Sequence, residues 1–471
     1  MPGAGLIQLI ATGIQDSYLT GNPEISYFKY VYKRASKFSI DSHRITYDGT
    51  IGFGNHLTFN LGGKGDLLKD IVLVVKLPQI SKTHNWKYGG WTWINGIGFG
   101  LIKELWLEIG GQKIIKYDGM WLDLWSELFW NNYDYYEKYR LVGKTSADVG
   151  TISIQNFFDM ELYIPLYFWF SKEISAALPV IALQYHDVKL HIIFNDFENV
   201  FCWGGSATAA TKAQLFSTDS SEKNKFLNRE YPWNDLPSNN NIKWPQQSEA
   251  EILDCYLIAD YILLDKCERK KVASKRHFYL IEQIQKQVFN IETEKTILSL
   301  NNINEPVKEL IWVCQSKDYV KNKNQLFNYY YRNMYKNIPA WTGYKFDPIK
   351  KMNLIINGDN KMKELDNKYY NSYLPWKYHE SAPKNLINIF PFCINPNDLQ
   401  PSGTINFSYI NDFRIQLEYK DMVGTEKQQE KAVNGQWPNV NTDDLLITVY
   451  AINYNLLEID QGMGGVIFGG C

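Results

Sequence analysis

The chain has almost no excess charge of either sign. Lys plus Arg number 49 and Asp plus Glu number 51, a formal net charge of −2. A protein that coats nucleic acid directly carries a basic excess or patch, so direct nucleic-acid binding is not expected. The densest basic run, 266–276 (KCERKKVASKR), is short, contains an acid and reads as a solvated connector. Long hydrophobic runs are missing as well. Stretches such as Leu162–Phe170 fall far short of the ~18 residues a membrane span needs, so no membrane span is expected. No basic segment followed by an apolar one opens the chain, which argues against a secretory signal. Six cysteines, at 202, 255, 267, 314, 393 and 471, are scattered with no C-x-x-C pair. That spacing argues against a zinc knuckle or a redox motif and for free thiols in a reducing cytosol.

Catalytic signatures are absent too. The sequence holds no G-x-x-x-x-G-K-[ST], H-E-x-x-H or G-x-S-x-G. Gly96-Ile97-Gly98-Phe99-Gly100 has the wrong glycine spacing for a phosphate loop and precedes a strand-like run. His186 and His191 are close, but odd spacing in one strand sends them to opposite faces, against joint metal ligation. Trp86, Trp91 and Trp93 could stack on a sugar, but core or loop packing is the simpler reading. Asn406-Phe407-Ser408 fits a glycosylation sequon, yet sits in a strand-like run. No catalytic, cofactor-binding or metal residue is nominated, no cofactor is expected, and the chain is read as a non-enzyme.

What is abundant is aromatic. The chain has 32 Tyr, 24 Phe and 15 Trp, residues that favour strands and, for Tyr and Trp, interfaces. Several runs alternate with period two: Ile71, Leu73, Val75 and Leu77; Val188, Leu190, Ile192 and Phe194; Phe413, Ile415, Leu417 and Tyr419. Each set belongs on one buried strand face. Leu105–Ile109 and Gln112–Lys116 flank Gly110-Gly111, a hairpin turn that accepts positive φ. Trp121, Leu124, Trp125, Leu128 and Phe129 fall at helical spacing and predict a helix over 119–130.

The predicted organisation is all-β. An arm occupies 1–24, a first domain 25–265, a connector 266–276, a second domain 277–457 and a Gly-rich tail 458–471. Each domain has room for an eight-stranded antiparallel jelly roll, a β-sandwich, with short helical insertions. No direct sequence repeat links the two. Segments 198–250 and 316–385, polar and long, read as loops.

Ordered blocks carry the reading further. Ile10–Tyr30, Gly52–Asn55, Gly65–Ile71, Leu107–Ile114, Leu178–Leu190, Asp260–Arg269, Tyr279–Gln285, Gln400–Tyr409 and Val449–Gly465 run in sequence along the chain. The set resembles the major capsid proteins of nucleocytoplasmic large DNA viruses, the group that includes iridoviruses, phycodnaviruses and mimiviruses. The long loops depart from that resemblance. It implies a double jelly roll in homotrimeric, pseudo-hexagonal capsomers that tile an icosahedral shell. It further implies contacts with neighbouring capsomers, minor capsid proteins at the inner face, synthesis in the host cytoplasm and residence in the virion capsid. The length and polarity of loops 198–250 and 316–385 point to an outward face that carries host contact or glycans. A sugar-binding β-sandwich, lectin-like or adhesin-like, is the alternative. A glycan-active enzyme on the same scaffold stands behind it.

Overall fold

A computed structural model describes residues 3–30, 32–78, 91–130, 140–144, 160–203, 251–291, 295–317, 320, 326–330, 347–379, 383, 385–419 and 445–468. Most of 198–250, much of 316–385, Trp86 and Cys471 therefore lie outside the described residues. The chain divides into two compact units, Met1–Phe38 and Ser39–Cys471. The first holds helices Gly3–Ile10 and Ser17–Thr20, neither with a buried residue.

The second unit is built from strands. In chain order they begin β1 (Phe38–Ile45), β2 (Tyr47–Asp48), β3 (His56–Asn60), β4 (Leu67–Leu77), β5 (Trp91–Trp93) and β6 (Ile102–Ile109). Then come β7 (Gln112–Tyr117), β8 (Met160–Pro165), β9 (Val188–Phe194), β10 (Phe201–Trp203) and β11 (Asp254–Leu264). The later half continues with β12 (His277–Asn290), β13 (Lys295–Ser299), β14 (Pro306–Ser316), β15 (Ile349–Ile356) and β16 (Asp359–Asp366). It ends with β17 (Asn388–Pro391), β18 (Ile405–Asn406), β19 (Phe413–Tyr419), β20 (Leu445–Asp460) and β21 (Met463–Val466).

The sheets repeat one plan. In the first half the orders are β1-β11-β4-β8 and β2-β3-β9-β6-β7; in the second, β12-β20-β14-β17 and β13-β19-β15-β16. With the short β2, β5, β10, β18 and β21 set aside, each half has eight strands among the described residues. One sheet runs first-eighth-third-sixth and the other second-seventh-fourth-fifth, in both halves. This is the jelly roll twice over, although the two halves share no visible sequence repeat. The period-two faces explain why. Ile71, Leu73, Val75 and Leu77 are buried, as are Val188, Leu190, Ile192 and Phe194, and Phe413, Ile415, Leu417 and Tyr419. Burial of alternate side chains between two sheets needs apolar residues in a pattern, and many different sequences satisfy it.

The hairpin and the helix form where the sequence placed them. β6 pairs with β7 across Gly110-Gly111, both at positive φ. The helix spans Gly119–Phe129, and the Asp118 side chain accepts a hydrogen bond from Trp121 N to cap it. A Cβ at Gly119 would meet the Phe99 carbonyl oxygen at 1.9 Å, so only glycine fits there.

Three local readings change and a fourth narrows. The connector contains a helix, Lys266–Ser274, capped by Asp265, and Arg269 reaches Asp66 at 3.0 Å. Segment 316–385 is not all loop. It carries β15 and β16, a hairpin turning through Asn357-Gly358, both at positive φ. The outer strand of that hairpin is DNKMKELD, a charged, mostly exposed edge whose two apolar residues, Met362 and Leu365, stand three apart and mark no alternation. The sequon lies at a strand end rather than within a strand, because the Asn406 carboxamide accepts from Ser408 N and starts a 3-10 turn. A Gly-rich tail can be mobile or close-packed backbone, and residues 458–466 are the second, strand rather than free tail. β20 runs to Asp460 and β21 folds back on it.

Candidate assembly surfaces and the seam between the rolls

The aromatic helix Gly119–Phe129 lies where the first roll meets the second. Trp121 packs against Tyr450 of β20 at 5.5 Å between ring centroids. Its cap residue does a second job: Asp118 accepts from the Tyr450 hydroxyl at 2.8 Å and pairs with Lys286 of β12 at 2.5 Å. Nearby, Gln283 Nε2 donates to the Ile114 carbonyl at 2.6 Å. Val466 N donates to Gln112 Oε1 at 3.0 Å, and Tyr185 N donates to the Gly462 carbonyl at 3.0 Å. The C-terminal glycines are required by this close approach. A Cβ at Gly464 would come within 2.7 Å of Leu183 Cδ2, and Gly462 sits at φ 85° against Tyr185.

A charged cluster is sealed into the same seam. Glu282 of β12 accepts from the Tyr167 hydroxyl, from Lys308 of β14 and, at 2.8 Å, from Lys172 of the first roll. Lys308 also donates to the Pro396 carbonyl at 2.8 Å. Glu282 is 1% exposed and Lys308 fully buried. Burial works against the Glu282 carboxylate, but the Lys172 and Lys308 ammoniums outweigh it and hold its pKa down to about 2. Burial, with Lys308 beside it, lowers Lys172 to about 8 despite Glu282.

These residues were not found from sequence. A signal existed in the strand patterns: Glu282 shares a face with Leu280 and Ile284, and Lys308 one with Leu310. A charge on an apolar strand face marks a buried ion cluster, because an unpaired charge there would be too costly.

The residues singled out earlier do not converge. His186 Nδ1 lies 3.0 Å from the Gly464 carbonyl, in the seam. His191 stacks on Trp106 at 4.8 Å and touches His56 at 3.1 Å. Trp93 is buried against Phe53 and Phe197, so it packs a core rather than a sugar; the side chain of Trp91 lies outside the described residues. Among the described residues no group of three or more His, Cys, Asp or Glu could hold a metal ion, and no helix is long and apolar enough to cross a membrane. Cys255, Cys314 and Cys393 are buried and Cys267 is exposed.

Two other features face outward. Within Met1–Phe38, twelve large apolar residues from Leu6 to Tyr32, with Phe38 beyond them, are exposed, among them Leu9, Tyr27 and a fully exposed Phe28. Soluble monomers rarely leave so much apolar surface uncovered. In the second roll, Tyr373 and Trp376 are exposed beside Tyr369, with Tyr370 buried beneath. These rings lie in the β16–β17 connection. In a jelly roll the connections after the third, fifth and seventh strands leave from one end. Here they are long: 78–101, 118–159 and 195–253 in the first roll, 317–348, 367–387 and 420–444 in the second. Connections after the second and fourth strands are short: 61–66, 110–111, 300–305 and 357–358.

Comparison with known proteins follows the same division. Residues 26–265 match the family model "Major capsid protein N-terminus", and residues 268–465 match "Large eukaryotic DNA virus major capsid protein". The major capsid protein of Paramecium bursaria Chlorella virus 1 is 31% identical, covering 98% of this chain and 99% of its own. That of Pyramimonas orientalis virus is 30% identical, covering 99% of each. Among solved structures, the PBCV-1 virus capsid model superposes with a TM-score of 0.71 at 26% identity, over 94% of this chain and all of that one. The Faustovirus major capsid protein shares the fold, with a TM-score of 0.67 at 11% identity over 97% and 96% of the two chains.

Proposed function

This chain belongs to the major capsid protein family of large eukaryotic DNA viruses, and from that premise we propose that its working form is a homotrimer. The protein is a structural unit of an icosahedral shell, resident in the virion capsid, whose copies assemble into capsomers. The trimer reading rests on one observation: the two rolls repeat one strand order. Three-fold symmetry acting on two like domains gives a near-hexagonal outline that can tile a surface. The aromatic excess supports a contact well above the ~2,000 Å² where obligate interfaces begin. The division of labour proposed is an arm over 1–24, rolls over 25–265 and 277–457, the connector 266–276 between them and the segment 458–471 at the end.

On a sizing column with light scattering, the protein is expected at 164.7 kDa, three chains of 54.9 kDa each, with a hexagonal outline in negative stain. A stable 54.9 kDa species at micromolar concentration would sink the trimer and favour a sugar-binding module.

The arm is assigned to minor capsid proteins or neighbouring capsomers at the inner face, on the strength of its uncovered apolar side chains. Deleting residues 1–24 should leave a trimer of the shortened chain intact and stop shell closure. Loss of the trimer itself would contradict the assignment. The long connections are assigned to the outer face, where glycans would be carried. No catalytic role and no direct contact with nucleic acid are assigned, and synthesis is placed in the host cytoplasm.

A further inference from the structure

A closed site at the base of the β7–β8 connection holds a lysine against two acids. Helix Gly119–Phe129 supplies Asp123 and Glu127, four residues apart and so on one face. Lys144 comes from the short segment 140–144. Its Nζ lies 2.5 Å from Asp123 Oδ1 and 2.9 Å from Glu127 Oε1. The Tyr329 hydroxyl donates to the other Asp123 oxygen at 2.8 Å. The side chains of Asp123, Lys144 and Glu127 are 0%, 4% and 4% exposed. Trp121, Leu122, Leu124, Leu128 and Val142 of the same two segments are buried.

Such a site departs from an ordinary buried ion pair in setting one ammonium against two carboxyl groups. Burial, with Glu127 alongside and against the pull of Lys144, pushes Asp123 toward holding a proton. Burial also disfavours the Lys144 ammonium, but the two carboxylates outweigh that and retain it in the resting pair. Transfer of that proton within the site gives an amine facing a carboxylic acid, with a second carboxyl beside both.

We propose that Lys144 and Asp123 condense into a side-chain isopeptide bond, with Glu127 carrying the proton. The Lys144 Nζ lone pair attacks Asp123 Cγ and a C–N bond forms. One Cγ–O bond breaks, and the departing hydroxyl takes the proton that Glu127 collects from Nζ. The products are one amide and one water, and no oxidant or other reactant is needed. Tyr329 holds the oxygen that becomes the amide carbonyl. Groups fixed at contact distance react with effective molarities of ~10⁵–10⁸ M, and a neutral amide is easier to bury than two charges. The bond would pin residues 140–144 to the helix and close the chain between positions 123 and 144.

The test is the intact mass of the full chain, purified folded and then denatured. The expected mass is below the sequence mass by one water, about 18 Da. In a tryptic digest the peptide 117–138 should be found joined to the one containing Lys144. E127Q keeps the shape of the site and should leave the two peptides separate. A wild-type chain at its full sequence mass overturns the proposal. So does the same mass loss confined to peptide 117–138, because Asp118-Gly119 can dehydrate to a succinimide. Persistence of the joined peptides in E127Q would overturn the role of Glu127.

Discussion

Glu282→Ala is expected to cost about 3–5 kcal/mol, the penalty of leaving buried cations without their counter-ion. Lys308 would be stranded fully buried and Lys172 nearly so, and the Tyr167 hydroxyl would lose its acceptor. The midpoint of urea unfolding, followed by tryptophan fluorescence, measures the loss. A variant within 1 kcal/mol of wild type would mean that the cluster is not closed. The pH dependence has a definite sign. Glu282 is depressed from 4.5 to about 2 in the folded protein. Its contribution is therefore present above pH 4.5 and drains away as pH falls toward and through about 2. Wild type should lose stability over that acid window more steeply than the variant, which has no carboxylate there to protonate.

Leu190→Asp is expected to abolish soluble protein. Leu190 is fully buried in β9, opposite Phe59 on one side and Leu107 on the other. A carboxyl in that position either ionises without a partner or protonates and remains without a hydrogen bond, a cost of roughly 4 kcal/mol or more. Lys189→Gln, one residue away and pointing to the opposite face, is the control and should change stability by about 0.5 kcal/mol. Expression of both, scored as folded protein in the soluble fraction, separates the two faces. Soluble Leu190→Asp protein at wild-type yield would show that the face is not core.

The strands that could be read in advance are those with one clean apolar face, such as β9 and β19. A period of two writes their burial directly into the residue order. β16 could not be read, because its two core-facing residues, Met362 and Leu365, stand three apart where register shifts break the alternation. The helix at 119–129 was legible from Trp121, Leu124 and Leu128. Its cap residue, Asp118, was not singled out from the sequence. That its carboxylate also holds Lys286 and Tyr450 depends on contacts some 168 and 332 positions apart in the chain. The same holds for Glu282, whose partners Lys172 and Lys308 lie on different rolls. Alternation says which way a side chain points within its own sheet and nothing about which strand of another sheet waits there.

The seam described above also has a mechanical meaning. A closed shell under pressure from within pulls its tiles sideways as well as outward. Two greasy faces resist separation but slide past one another, since apolar attraction has no direction. Hydrogen bonds to main-chain atoms do have direction. Gln283 to the Ile114 carbonyl, Val466 N to Gln112 and Tyr185 N to the Gly462 carbonyl act as teeth at fixed spacing. To shear the rolls by one residue, all of them must break together, along with the contact of Gly464 on Leu183. Within one tile, then, the two rolls should move as a single rigid plate, and the shell should yield between chains before it yields inside one.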